Sequence, residues 1–199
     1  MSRIRKHVVV IVAVALVAGV AVGGVIAAQH RDTAPDVGEM EAAIATTPVT
    51  KVADVSANDG SEARGVYLQE LDTGYVCVWD APSSTSRSRQ GGCNRADDPL
   101  GGSAVWASLA YDGGPATETV RDARLSGLAS AETASLEVLM SDGSIRAVKL
   151  QKAKVGSDEF QAFGYRFKKA DLKKGIGPTA IVAYDAAGNE IGRQPTGIG

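Results

Sequence analysis

The chain has 199 residues, of which 44% are hydrophobic and 5% aromatic, and a formal net charge of −2. That length accommodates one ordinary domain with accessory segments. Its two histidines, His7 and His30, flank a single apolar run, so residues 31–199 contain no imidazole, which excludes Ser-His and Cys-His nucleophilic machinery and His-based metal sites from that part.

Residues 1–7 carry Arg3, Arg5 and Lys6, and residues 8–28 form an unbroken run without a charge. A membrane-spanning helix needs about 20 apolar residues, and the positive-inside rule keeps the basic end in the cytoplasm. The pattern predicts one N-terminal transmembrane helix or signal anchor over 8–28, behind a short cytoplasmic segment, with everything after Gln29 exported. Cleavage after the small residues Ala27 or Ala28 would instead release a secreted protein. Leu16-Val17-Ala18-Gly19 matches the start of a lipobox, but Val20 stands where lipid attachment needs a cysteine. Ala15, Gly19, Gly23 and Ala27 recur every four residues, a face that suits helix dimerisation through the Gly19/Gly23 pair.

Residues 29–61 are polar, contain Pro35 and Pro48, and predict a stalk. Asp36 and Glu39 ahead of Met40, Ala43 and Ile44 suggest a short amphipathic helix within it. From Glu62 the pattern changes to short strands. Val66–Leu71 and Tyr75–Trp79 flank Asp72-Thr73-Gly74, a hairpin turn. Residues 104–111 and 119–125 give two more strands, and Ser135–Met140 and Ile145–Leu150 flank Ser141-Asp142-Gly143-Ser144 in a second hairpin. Residues 160–167 continue the series, Asp171–Gly177 forms a loop or turn of helix, and Thr179–Tyr184 and Glu190–Arg193 close it around Asp185-Ala186-Ala187-Gly188-Asn189. Seven to nine short strands without a long helical pattern predict an all-β ectodomain over 62–199, an antiparallel β-sandwich.

Cys77 and Cys93 are the only cysteines. Both fall in the exported part, where disulfides persist, so they are expected to pair and close a loop rich in Ser, Arg and Gly.

The runs Arg124-Leu125-Ser126-Gly127-Leu128, Ala134-Ser135-Leu136-Glu137-Val138 and Ser141-Asp142-Gly143, followed by Ile181-Val182-Ala183-Tyr184-Asp185-Ala186-Ala187-Gly188-Asn189, resemble those of uncharacterised exported proteins of Gram-positive bacteria. The resemblance covers Val76 to Arg193. It implies an immunoglobulin-like or related sandwich behind a membrane anchor and carries no activity with it.

Charge is unevenly spread. Arg3, Arg5 and Lys6 leave 18 of the 21 basic residues facing all 23 acidic ones after the apolar run, a net of −5. Yet residues 145–175 hold nine basic and three acidic side chains. Arg146, Lys149, Lys152, Lys154, Lys168, Lys169, Lys173 and Lys174 in that stretch are the candidate patch for an anionic partner, a cell-envelope polymer or another envelope protein. A negative exported part poor in aromatics gives no basis for a nucleic-acid partner.

The chain lacks G-x-S-x-G, S-x-x-K and P-loop signatures. Gly175-x-Gly177-x-x-Ala180 precedes a strand and contains Pro178, unlike a dinucleotide loop. Asp97-Asp98 could offer oxygen ligands to a cation, and Asp185 and Asn189 are explained by Asx turns. No cofactor, metal site or catalytic residue is therefore assigned. The reading is a membrane-tethered extracytoplasmic binding or scaffolding domain. The alternatives are an envelope-acting hydrolase using acidic residues and an accessory subunit signalling through its transmembrane helix.

Overall fold

The structure, a computed structural model, describes residues 48–56, 62–113 and 120–196. The helix expected over 8–28, its face of Ala15, Gly19, Gly23 and Ala27, and the short helix near Met40 lie outside the described residues. Among the described residues no helix is long and apolar enough to cross a membrane.

The described residues form β1 (Thr50–Ser56), β2 (Arg64–Glu70), β3 (Tyr75–Ala81), β4 (Gln90–Arg95), β5 (Val105–Gly113), β6 (Val120–Ser130), β7 (Ser135–Met140), β8 (Ile145–Val148), β9 (Leu150–Val155), β10 (Asp158–Arg166), α1 (Lys169–Leu172), β11 (Pro178–Tyr184) and β12 (Glu190–Pro195). One sheet has eight strands in the order β4-β3-β2-β1-β10-β6-β5, with β9 also paired to β10; the second has the order β12-β11-β7-β8.

The turns follow from local chemistry. Gly74 and Gly143 sit at φ +80°, a conformation that only a residue without Cβ adopts cheaply. In the second hairpin the Asp142 carboxylate accepts from the Ser144 amide at 3.0 Å. In the last, Asp185 Oδ1 accepts from the amides of Ala187 at 2.9 Å and Asn189 at 2.8 Å, the Asx turn expected there.

Side-chain alternation assigns each strand two faces. On β6 and β10, Ala123, Leu125, Ala129, Phe163 and Tyr165 join Leu136, Val138 and Ile181 of the second sheet in one core, which also takes Leu172 of α1. The opposite faces of the same two strands give Leu128 and Ala162 to a second core with Val55, Val66, Leu68, Val76, Val78 and Val155. β6 and β10 are thus a wall between two cores, and the large sheet curls until β3 faces β6. The all-β, two-sheet expectation holds, with one half of the large sheet rolled toward a barrel.

Five expectations are corrected. Residues 50–56, assigned to the stalk, form β1 in the middle of the large sheet, so the folded domain begins upstream of Glu62. Residues 90–95, to which no strand was assigned, form β4. The arm expected over 145–150 ends at Val148, and after Lys149 the chain crosses to the large sheet as β9. The described strands number twelve, and β1 pairs with β10 in parallel, at Val55↔Gly164 and Ser56↔Tyr165, where an antiparallel fold was expected.

Candidate functional site

β1 joins β10 only at Val55 and Ser56. Further back along β10, the same edge is taken by β9, which pairs from Asp158↔Val155 to Phe163↔Leu150. β1 and β9 therefore diverge from β10 as the two arms of a fork. At its base Gly164 leaves no room for a side chain: a Cβ there would lie 2.8 Å and 2.9 Å from the methyls of Val66 and Val55 and 3.0 Å from the Asp54 carbonyl.

The fork encloses an open groove of about 520 Å³. Val52, Leu68, Ala153 and Phe160 supply apolar lining that continues into the core behind it. Lys51, Lys152 and Lys154 face Glu70 and Glu159 around it. The Glu70 carboxylate accepts from the Gly156 amide at 2.9 Å, which bounds the groove by tying the β9–β10 turn to the end of β2. Lys51 is held by Asp54 at 2.5 Å, and this hydrogen bond raises the pKa of its ammonium above the ordinary value.

The opposite end of the same inner face is closed by charge. Asp80 Oδ2 accepts from Arg64 at 2.5 Å and from Arg124 at 2.9 Å. Asp122 takes Arg166 through two bonds, at 2.8 Å and 3.0 Å, and also pairs with Arg124. Gln90 Oε1 accepts from Arg124 at 2.8 Å, and the Glu62 carbonyl accepts from Arg166 at 3.0 Å. Arg64, Asp80, Asp122 and Arg124 are buried, so charges of both signs are needed for any of them to be there. Three guanidiniums on two carboxylates, with carbonyls filling the remainder, make this a structural plug. Sequence reasoning missed it because the five charged residues come from β2, β3, β6 and β10 and share no motif.

The expected disulfide is present. Cys77 and Cys93 are direct cross-strand partners in β3 and β4 and are bonded. Arg89 stacks over the Trp79 ring at 5.1 Å, so the segment between the strands is pinned at a second point.

The candidate cationic patch divides. Arg146 is half-buried and reaches Asp171 of α1 at 3.3 Å, so its charge is engaged. Lys168, Lys169, Lys173 and Lys174 are exposed around α1, and Lys149 is exposed at the crossing between the sheets. Lys152 and Lys154 are exposed on β9 beside the groove.

The acidic loop candidates are occupied by their own loops. Asp97 makes two bonds to Arg95, at 2.9 Å and 3.0 Å, which lower its pKa, and Asp98 accepts from the Gly102 amide at 2.9 Å. Glu190 pairs with Arg193 at 2.7 Å, and the Arg193 hydrogen bond lowers its pKa. Among the described residues no three His, Cys, Asp or Glu side chains gather as a metal site would require.

Comparison with protein-family models, with curated proteins and with solved structures found no match.

Proposed function

We propose that this chain is a membrane-tethered extracytoplasmic binding or scaffolding domain, with an immunoglobulin-like or related sandwich as its ectodomain. The observation that carries the binding role is the groove between β1 and β9, an apolar floor with a charged rim. The address rests on the basic residues and apolar run of 1–28 and is supported by the Cys77–Cys93 disulfide, a bond that persists outside the reducing cytosol. The resemblance to exported Gram-positive sandwich proteins points the same way.

A photocrosslinking residue placed at Phe160, in the groove, and at Ala186, on the exposed β11–β12 turn, tests the role in living cells. The reading predicts a discrete adduct from position 160 and none from 186. Absence of any adduct from position 160, in a chain whose C-terminal phosphatase fusion is active outside the cytoplasm, would contradict it.

A further inference from the structure

The fork leaves main chain open as well as side chains. β9 turns into β10 through the two-residue loop Gly156-Ser157, with Val155 opposite Asp158. In an antiparallel ladder, pairs that exchange hydrogen bonds alternate with pairs that do not. The pair flanking a two-residue loop is of the bonded kind, so Val155 and Ala153 spend their N–H and C=O groups on β10. Lys152 and Lys154 direct theirs to the other edge, where no strand among the described residues pairs with β9. The groove is lined by the consecutive residues 152–154 of β9 and 50–52 of β1. Successive side chains point to opposite faces of a strand, so consecutive residues can line one groove only with their main chains taking part. An unpaired strand edge of this kind is a template for another strand.

We propose that the fork accepts an extended acidic peptide, which adds a strand to the free edge of β9. The occupant follows from the two faces of that strand. One face meets Val52, Leu68, Ala153 and Phe160 and requires apolar side chains. The other shares its side of the sheet with Lys152 and Lys154, both exposed; Gln161 stands opposite Lys152 and Glu159 opposite Lys154, so lysines outnumber acids on that side and favour carboxylates on the added strand. A segment of alternating apolar and acidic residues meets both demands, with main-chain hydrogen bonds supplying affinity and the alternation supplying selectivity. The proposal rests on the binding role above and names the class of partner.

The test uses the full chain in detergent and three fluorescent peptides: acetyl-(Val-Glu)3-Val-amide, the same peptide N-methylated at every second residue, and (Val-Lys)3-Val. Anisotropy titration should give saturable binding of the first and a loss of roughly tenfold or more for each of the others. Lys152→Gln with Lys154→Gln, which removes both charges without setting a carboxylate opposite Glu159, should weaken the first peptide severalfold while leaving thermal unfolding little changed. The comparison of the first two peptides uses the unaltered chain and does not depend on that variant folding. No saturable binding, or equal binding of the N-methylated peptide, would overturn strand addition. If the photocrosslink from position 160 persists in that event, the groove still binds a partner and only its assignment as an acidic strand fails.

Discussion

The side-chain amide of Gln194 makes to Ala107 the two hydrogen bonds that the main chain of a neighbouring strand would make. Gln194 Oε1 accepts from the Ala107 amide at 2.7 Å, and Gln194 Nε2 donates to the Ala107 carbonyl at 2.8 Å. Ala107 lies on β5, the last strand of the large sheet, and Gln194 on β12, the last strand of the small one, so one amide joins the two sheets at their edges. Gln194→Glu removes the donor and faces a carboxylate to a carbonyl. A loss of about 1 to 3 kcal/mol is expected from the unmet groups, measured by denaturant unfolding, with faster amide exchange at Ala107.

The Arg64–Asp80–Arg124 cluster sets a larger expectation. Asp80→Asn leaves two buried guanidiniums without their shared carboxylate. Breaking a buried pair from one side costs about 3 to 5 kcal/mol. Chemical unfolding of the variant should show a loss in that range; an unchanged midpoint would show that the plug is dispensable.

Gly164 holds the base of the fork. Gly164→Ala would press a methyl against Val66, Val55 and the Asp54 carbonyl, and overpacking of this kind costs about 1 to 3 kcal/mol. Hydrogen exchange should rise in β1 before the rest of the large sheet, because β1 meets β10 only at that point.

Acid should loosen the β11–β12 turn. The Asn189 side-chain hydrogen bond is the largest cause lowering the pKa of Asp185, and the Asn189 and Ala187 amides add to it. A carboxyl depressed in the folded state contributes its full stability above the ordinary carboxylate pKa and loses it as pH falls through the depressed value. A titration followed by NMR should find Asp185 below the usual carboxylate range. Asn189→Ala should bring it part of the way back up, since the main-chain donors remain.

Reduction of Cys77–Cys93 should destabilise the domain without unravelling its topology. The cysteines are 16 residues apart, and closing a loop of that size is worth about 3 kcal/mol in the chain-entropy model. Melting with and without reductant checks it.

The sequence made β7, the Asp72-Thr73-Gly74 turn and the Asp185 turn legible because alternation and turn residues agree there. β4 was hidden: Gln-Gly-Gly-Cys-Asn-Arg has little strand propensity, and a Cβ on Gly91 would strike the Val78 carbonyl, so glycine is there to let β4 close on β3. β1 was hidden by the exposed Lys51 and Asp54, which mask in the sequence the buried Ala53 and Val55 that seat it in the sheet. The disulfide could be anticipated from compartment and count alone. The groove could not, because it arises where β1 and β9 part from β10, a relation between segments about a hundred residues apart.

The state of the two cysteines in the cell reports most directly on where the domain resides. Cells quenched in acid, denatured, alkylated without reductant and fractionated should yield the protein in the membrane fraction with Cys77 and Cys93 unmodified, and both should become alkylated only after reduction. Two alkylated thiols before reduction, on a protein recovered from the cytosol, would contradict both the address and the function built on it.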